Sequence, residues 1–164
     1  MMRTFYLRGG RGRAIEPSVL IKDVQSRLGN EALCLDADLV CGAEHIGSAV
    51  YHAERAFNYG TNSSDSFAME VLLYASGERQ LSKAMSKMSV KTGDVNVAIL
   101  TFDGGVSDDM MRDWRITPDS SVLGFTIAKA KRFGIGPLEV SSVPLGMLQD
   151  LVLERVAFVD VIKR

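Results

Sequence analysis

The stretch Asp65–Lys91, DSFAMEVLLYASGERQLSKAMSKMSVK, reads as two helices joined by a hinge at Ser76–Gly77. The first helix, Ser66–Ala75, is apolar on nearly every side, which predicts a central position in the core. The second helix has two faces, and residues at i, i+3, i+4 and i+7 form its predicted buried stripe: Leu81, Ala84, Met85 and Met88. Cations recur every fourth residue on the opposite side, at Arg79, Lys83 and Lys87. A helix that shows cations outward is suited to binding an anion.

Length and charge limit the classes of function. The chain has 164 residues, 46% of them hydrophobic, and a net charge of −1 at pH 7. We expect one domain, spanning residues 1–164, with a core of its own. Because no global positive field is present, any binding of nucleic acid depends on a local patch. No apolar run approaches the ~18 residues of a membrane span, no signal peptide is recognisable, and the two cysteines suit a reducing compartment. These features favour a cytoplasmic protein that makes no membrane contact.

Periodicity and cap residues predict the remaining elements. Helices are expected over Pro17–Arg27, Ala43–Tyr59, Asp108–Asp113, Val122–Phe133 and Leu145–Ile162. Strands are expected at Thr4–Leu7, Leu33–Val40, Val95–Phe102 and Leu138–Val143. Arg8–Arg13, RGGRGR, is expected to be a flexible basic loop, either an ordinary surface turn or a loop that contacts phosphate. The predicted fold class is α+β: a single mixed domain with a small, largely antiparallel sheet packed by helices.

No catalytic constellation is recognisable, because the sequence lacks a GxSxG motif, a P-loop and a dinucleotide fingerprint. His45, His52 and Tyr59 are seven residues apart on one predicted helix, either as a boundary row beside the core or as an exposed surface for a base or a partner. Two histidines at this spacing lie about 10 Å apart, too far for one metal ion. Asp36 and Asp38 suit a half-exposed strand better than a cation site. We therefore expect no enzyme, no cofactor and no metal.

The C-terminal segment Leu145–Ile162 is apolar on several sides. Such a helix is either deeply buried or covered by another protein, and its last residues, Ala157–Ile162, are β-branched enough to form a strand instead. The candidates for contact with a partner lie on one broad apolar face: Leu145, Leu148, Val152 and Val156.

The block Leu72–Ala84, LLYASGERQLSKA, resembles a segment of the smallest-subunit family of the KEOPS complex, the PRPK-binding-protein (TPRKB-like) family. The resemblance implies a non-catalytic subunit that docks on the small kinase-like ATPase of KEOPS, which makes the threonylcarbamoyl modification of tRNA adenosine 37. It also implies capture of tRNA through the single-stranded 3′ CCA end. The residues expected to contact this RNA are Asn62, Arg79, Gln80, Lys83 and Lys87. The kinase is then the partner expected at the C-terminal apolar face.

Two other functions stay open. Residues Ser66–Met88 have the hinge length of a helix-turn-helix DNA-binding module, although that motif usually belongs to a basic domain. A small-molecule enzyme using His45 or His52 is the third hypothesis. A preference for tRNA with an intact CCA end, over trimmed tRNA and duplex DNA, distinguishes the three.

Overall fold

A four-stranded sheet and eight α-helices make up the computed structural model of the chain, which describes residues 3–163. The strands are β1 (Tyr6–Ile15), β2 (Leu33–Asp36), β3 (Gly93–Thr101) and β4 (Ile116–Pro118). The helices are α1 (Pro17–Leu28), α2 (Ala43–Asn58), α3 (Phe67–Ser76), α4 (Leu81–Met88), α5 (Asp108–Asp113), α6 (Ile127–Phe133), α7 (Pro137–Ser142) and α8 (Leu148–Ile162). Every pairing in the sheet is antiparallel, in the order β2-β3-β1-β4. The predicted α+β domain with a small antiparallel sheet is confirmed.

Both faces of the sheet are covered by helices, because alternate residues of β3 enter two separate cores. Ala98 and Leu100 belong to the larger core, together with residues of α2, α3, α4, α6 and α8. Val97 and Ile99 belong to the smaller core, together with residues of α1 and α5 and with Trp114. The basic-faced helix α4 therefore lies on the opposite side of the sheet from α1 and α5. None of the described helices is long and apolar enough to cross a membrane.

The glycine-rich run Arg8–Arg13 is part of a strand, so the prediction of a flexible loop is wrong. Gly9, Gly10 and Gly12 are buried in β1, which pairs with both β3 and β4. A Cβ on Gly10 would lie 2.6 Å from the carbonyl oxygen of Thr117 in β4. Glycine is required here because the backbones approach closely, and not because the chain must turn freely.

Three predicted elements differ from the structure near polar caps. The strand expected over Leu33–Val40 ends at Asp36, whose Oδ1 accepts a hydrogen bond from the Asp38 N–H at 3.0 Å and starts a 3₁₀ turn at Ala37–Leu39. The helix expected over Val122–Phe133 is divided into a 3₁₀ turn, Ser120–Leu123, and α6, which Thr126 caps. The strand expected over Leu138–Val143 is instead the helix α7, begun by Pro137 and by a Glu139 carboxylate that accepts the Gly136 N–H at 3.2 Å.

The C-terminal segment is helical to Ile162, so the alternative of a final strand is wrong. A short 3₁₀ turn, Leu145–Met147, precedes α8. Helix α8 packs against α2, α3 and α6, which places it inside the larger core. Strand β4 had no counterpart among the predicted elements, since three residues are too few for a periodic pattern.

Candidate functional site

The hinge between α3 and α4 forms a defined turn. Gly77 has a left-handed backbone with φ of 69°, a conformation that favours glycine. The hydroxyl of Ser76 donates to the Leu73 carbonyl oxygen at 2.7 Å and accepts the Glu78 N–H at 3.0 Å. Arg79 and Gln80 follow at the surface, directly before the first turn of α4.

Helix α4 buries a narrower stripe than its spacing predicts. Ala84 and Met88 are fully buried, but Met85 is 45% exposed, so its predicted place in the buried stripe is wrong. The helix has only eight residues and packs on α3 along one side, which leaves the neighbouring position open. Lys83 lies on the exposed side, as predicted. The exposed surface of the hinge and α4 therefore combines cationic, amide and apolar groups.

Lys87 points inward, so its predicted place on the cationic outer face is wrong. Its Nζ donates to the carbonyl oxygen of Ser76 at 2.7 Å and lies 3.9 Å from the centre of the Phe133 ring. A carboxylate oxygen of Glu78 is 3.8 Å away. Burial lowers the pKa of Lys87, and the Glu78 charge opposes that effect. This lysine joins α4 to the last carbonyl of α3 and thereby fixes the hinge.

A second cation beside Lys83 comes from a distant part of the sequence. Lys83 lines an open cleft of about 590 Å³. Arg132, at the end of α6, lines the same cleft, together with Ser86 and Phe133. Its guanidinium is also 3.0 Å from an Asp38 carboxylate oxygen, at the surface. In the sequence, the basic residues in the last turn of α6 were the feature that could have identified Arg132 as part of the site. Cations at the C-terminus of a helix are explained equally well by the helix dipole.

Asn62 does not join this group. It lies before α3, whereas Arg79 follows it, and ten helical residues separate their ends by about 15 Å. The Asn62 side-chain amide donates to the Ser64 carbonyl oxygen at 3.0 Å within its own loop. That loop is held by Glu70, which is fully buried and accepts the N–H groups of Ser63 and Ser64, each at 2.9 Å. The structure therefore brings Arg79, Gln80 and Lys83 together and leaves Asn62 at the other end of α3.

Three of the four residues predicted to meet a partner lie in the core. Leu148, Val152 and Val156 have no exposed surface, because this face of α8 packs against the domain itself. The prediction that they contact a partner is wrong for this fold. Leu145 is 69% exposed in the turn before the helix. The broad apolar face recognised in the sequence is the inner face of α8.

The outer face of α8 is also partly apolar. Ala157, Phe158 and Val161 are exposed at i, i+1 and i+4, with Phe158 at 52% and Val161 at 64%. Residues three and four apart share one side of a helix, so Phe158 and Val161 lie on the same side. Exposed apolar side chains on one side of a helix are candidates for contact with another protein.

His45 is sealed inside the core. Its Nδ1 accepts the Cys41 N–H at 3.0 Å, so its Nε2 carries the proton and donates to the Ala75 carbonyl oxygen at 2.7 Å. Burial lowers the pKa of His45 to about 4. His52 is half-buried, stacked on Tyr74 with ring centres 5.5 Å apart. The predicted row of rings therefore runs from a buried His45 to a Tyr59 that is 75% exposed, and a substrate cannot reach His45 in this fold.

Asp36 and Asp38 have a structural role in the fold. Within residues 3–163, no group of three or more histidine, cysteine or acidic side chains is arranged to hold a metal ion. Asp36 and Asp38 form hydrogen bonds with the backbone, Asn96 and Arg132.

The helix-turn-helix hypothesis needs an accessible first helix that crosses the DNA backbone. In α3, every side chain except that of Met69 is buried, so this helix offers no such surface.

A comparison of the sequence with known protein families assigns the chain to a family, independently of the geometry of the site. Residues 17–126 match the sequence model of the family described as kinase binding protein CGI-121. The matched region runs from α1 to the segment before α6 and includes the whole α3–α4 hinge. No curated protein matches the chain.

Proposed function

Because the chain belongs to the CGI-121 family of kinase-binding proteins, we propose that it is the small non-catalytic subunit of a cytoplasmic KEOPS complex. In this role it docks on the kinase-like ATPase subunit and captures tRNA by the 3′ CCA end. The observation that carries the RNA part is the joint exposure of Arg79, Gln80 and Lys83 at one hinge. These are the residue types that meet phosphates and base edges in an unstacked strand.

The chemistry of this surface suits a single-stranded end. Arginine and lysine side chains at 79 and 83 suit phosphate oxygens. Arg132, which is paired with Asp38, and Glu78 border the same cleft as Lys83. The amide of Gln80 has both a donor and an acceptor, so it can bond the edge of an unpaired base. Since the chain has a net charge of −1, attraction comes from local cationic patches such as this one and is weakened by salt.

The RNA proposal is tested by charge reversal at the hinge. We expect Arg79→Glu with Lys83→Glu to abolish tRNA binding in a gel-shift titration while the circular dichroism spectrum stays that of the wild type. Lys83→Glu alone is compared with Lys22→Glu, an exposed lysine of α1 on the other side of the sheet. Only the hinge variant should weaken binding, and wild-type binding should fall when the CCA end is trimmed. Unchanged tRNA affinity in the double variant contradicts the proposal.

We place the kinase-like ATPase on the outer face of α8, at Phe158 and Val161, with Leu145 before the helix. Because Phe158 is 52% exposed, burying the rest of its side chain at such a contact contributes about half of the 1.5–3 kcal/mol of a whole phenylalanine, and a charge placed there opposes the contact.

Co-purification of the two subunits tests this placement. Phe158→Glu should remove the kinase from the purified chain without unfolding it, whereas Val19→Glu, at a 55% exposed valine of α1, should not. Leu148→Asp should unfold the domain, because that side chain is in the core. Retention of the kinase by the folded Phe158→Glu protein would show that the interface lies elsewhere.

A further inference from the structure

Three arginines line a cleft on the face of the sheet opposite the larger core. The cleft has a volume of about 360 Å³ and lies where β1, α5 and β4 meet. Arg13, Arg112 and Arg115 line it, together with Ala14, Ile116 and Thr117. No carboxylate is among these lining residues. The lining also has no aromatic ring on which a base could stack.

The backbone around the cleft is irregular in a way that displaces these side chains from the sheet. The pairing of β1 with β3 shifts register between Gly12 and Ile15, so Arg13 and Ala14 form a bulge. Ala14, with φ of 50°, and Arg115, with φ of 64°, are the two non-glycine residues with positive φ within residues 3–163. The N–H of Arg13 donates to the Arg115 carbonyl oxygen at 3.0 Å, which ties the two strained segments together. Strain of this kind costs on the order of 1 kcal/mol per residue and concentrates at binding sites.

The arginines of the cleft make few close ion pairs, in contrast to the other arginines of β1. Arg8 and Arg11 are paired with carboxylates, Arg11 Nε at 2.7 Å from Asp119. In the described part of the chain, no carboxylate lies within 4.0 Å of the Arg13 or Arg115 guanidinium. Arg112 is 3.8 Å from Asp109, whose side chain is 98% exposed, and such a pair contributes little. Like charges held around one cleft favour a bound anion.

We propose that this cleft binds a phosphodiester group of RNA, at a point separate from the 3′ end held at the hinge. This inference rests on the proposed function, since it assigns a second contact to the same tRNA. Guanidinium forks match the paired oxygens of a phosphodiester. Contacts of arginine to phosphate do not depend on base identity, so the cleft suits the RNA backbone. The side chains of all three arginines are exposed, so a group on the surface of a large molecule can reach them.

The test compares two RNAs and two double variants that change the net charge equally. Arg13→Gln with Arg115→Gln alters the cleft, and Arg11→Gln with Arg27→Gln removes two arginines that are paired with Asp119 and Asp113. The dissociation constants for full-length tRNA and for a single-stranded oligonucleotide ending in CCA are measured over a series of salt concentrations. We expect the cleft variant to bind full-length tRNA about tenfold more weakly, with a salt slope smaller by about 2. Its affinity for the oligonucleotide should be unchanged, and the control variant should resemble the wild type.

The outcomes separate this inference from the proposed function. If the folded cleft variant binds full-length tRNA with wild-type affinity and salt slope, the inference is overturned, and CCA-dependent binding of the wild type still supports the hinge. If the wild type binds intact and trimmed tRNA equally and the cleft variant loses affinity, the hinge proposal fails and the cleft stands. A cleft variant that loses only the kinase identifies a protein contact and also overturns the inference. Absence of tRNA binding by the wild type overturns both.

Discussion

Acidification should destabilise this protein through one buried histidine. His45 is fully buried, and its two ring nitrogens are engaged by the Cys41 N–H and the Ala75 carbonyl oxygen. A second ring proton would occupy the nitrogen that accepts the Cys41 N–H, so protonation breaks that hydrogen bond and places a charge in the core. Burial for this reason lowers the pKa of His45 from an ordinary value of 6.5 to about 4.

The sign and size of the effect follow from these two pKa values. Between pH 6.5 and about 4 the unfolded chain binds a proton at His45 that the folded chain excludes, so acidification favours unfolding. Each pH unit between the two values is worth about 1.4 kcal/mol, which gives about 3 kcal/mol in total and about 2 kcal/mol by pH 5. The contribution is constant above about pH 7. Carboxylates whose pKa is lowered by partners, such as Asp108 and Asp119, act at lower pH.

Urea denaturation at pH 8, 7, 6 and 5 measures the effect as the free energy of unfolding. The wild type should lose about 2 kcal/mol between pH 8 and pH 5. His45→Gln should be less stable at pH 8 but should lose much less on acidification. His52→Gln is the companion variant: burial also lowers the pKa of His52, but the Asp160 carboxylate opposes this, so its removal should change the slope less. If His45→Gln keeps the wild-type pH dependence, the assigned cause is wrong.

Two further substitutions test the close packing of the sheet and the inner end of the hinge. Gly10→Ala places a Cβ 2.6 Å from the Thr117 carbonyl oxygen, so urea denaturation should show a loss of about 1–3 kcal/mol in the free energy of unfolding. In the control Gly104→Ala the added Cβ has no atom within 4 Å, so the free energy of unfolding should change by less than about 0.5 kcal/mol. Lys87→Met leaves the Ser76 carbonyl oxygen without its donor and should cost about 1–2 kcal/mol, whereas Lys83→Met should leave stability unchanged and weaken tRNA binding. Equal stability losses at positions 83 and 87 would show that Lys87 does not fix the hinge.

The sequence predicts the helices well where local signals agree. Pro17 starts α1, Gly77 ends α3, and the apolar spacing of Ala43–Tyr59 matches α2 to within one residue. The glycines of β1 fail as a local signal, because a close approach of two strands and a flexible loop both favour glycine. Only the position of β4, which is distant in sequence, distinguishes these cases. For the same reason the sequence does not predict the arginine cleft, since Arg13 and Arg115 are 102 positions apart and meet through a backbone hydrogen bond.

Periodicity gives the faces of a helix but not always which face is covered. In α4 the polar side is distinct, and the exposure of Lys83 follows from it. Helix α8 is apolar on several sides, so its sequence does not tell the inner face at Val152 from the outer face at Phe158. Lys87 fails for another reason: a long side chain can reach a neighbouring helix end, and only the tertiary structure places the Ser76 carbonyl oxygen within 2.7 Å.

The last carbonyls of α3 connect the buried polar groups to the exposed surface. The Ala75 carbonyl oxygen is bonded by His45 from α2, and the Ser76 carbonyl oxygen by Lys87 from α4. Side chains of two other helices therefore hold a helix end that water would otherwise solvate. Because Arg79 follows this end by three residues, it starts from a fixed backbone, and under the proposed function less conformational entropy is lost on RNA binding. In a chain with a net charge of −1, which lacks a long-range attractive field, the proposed capture of a single-stranded end depends on a few local cations, and such preorganisation favours it.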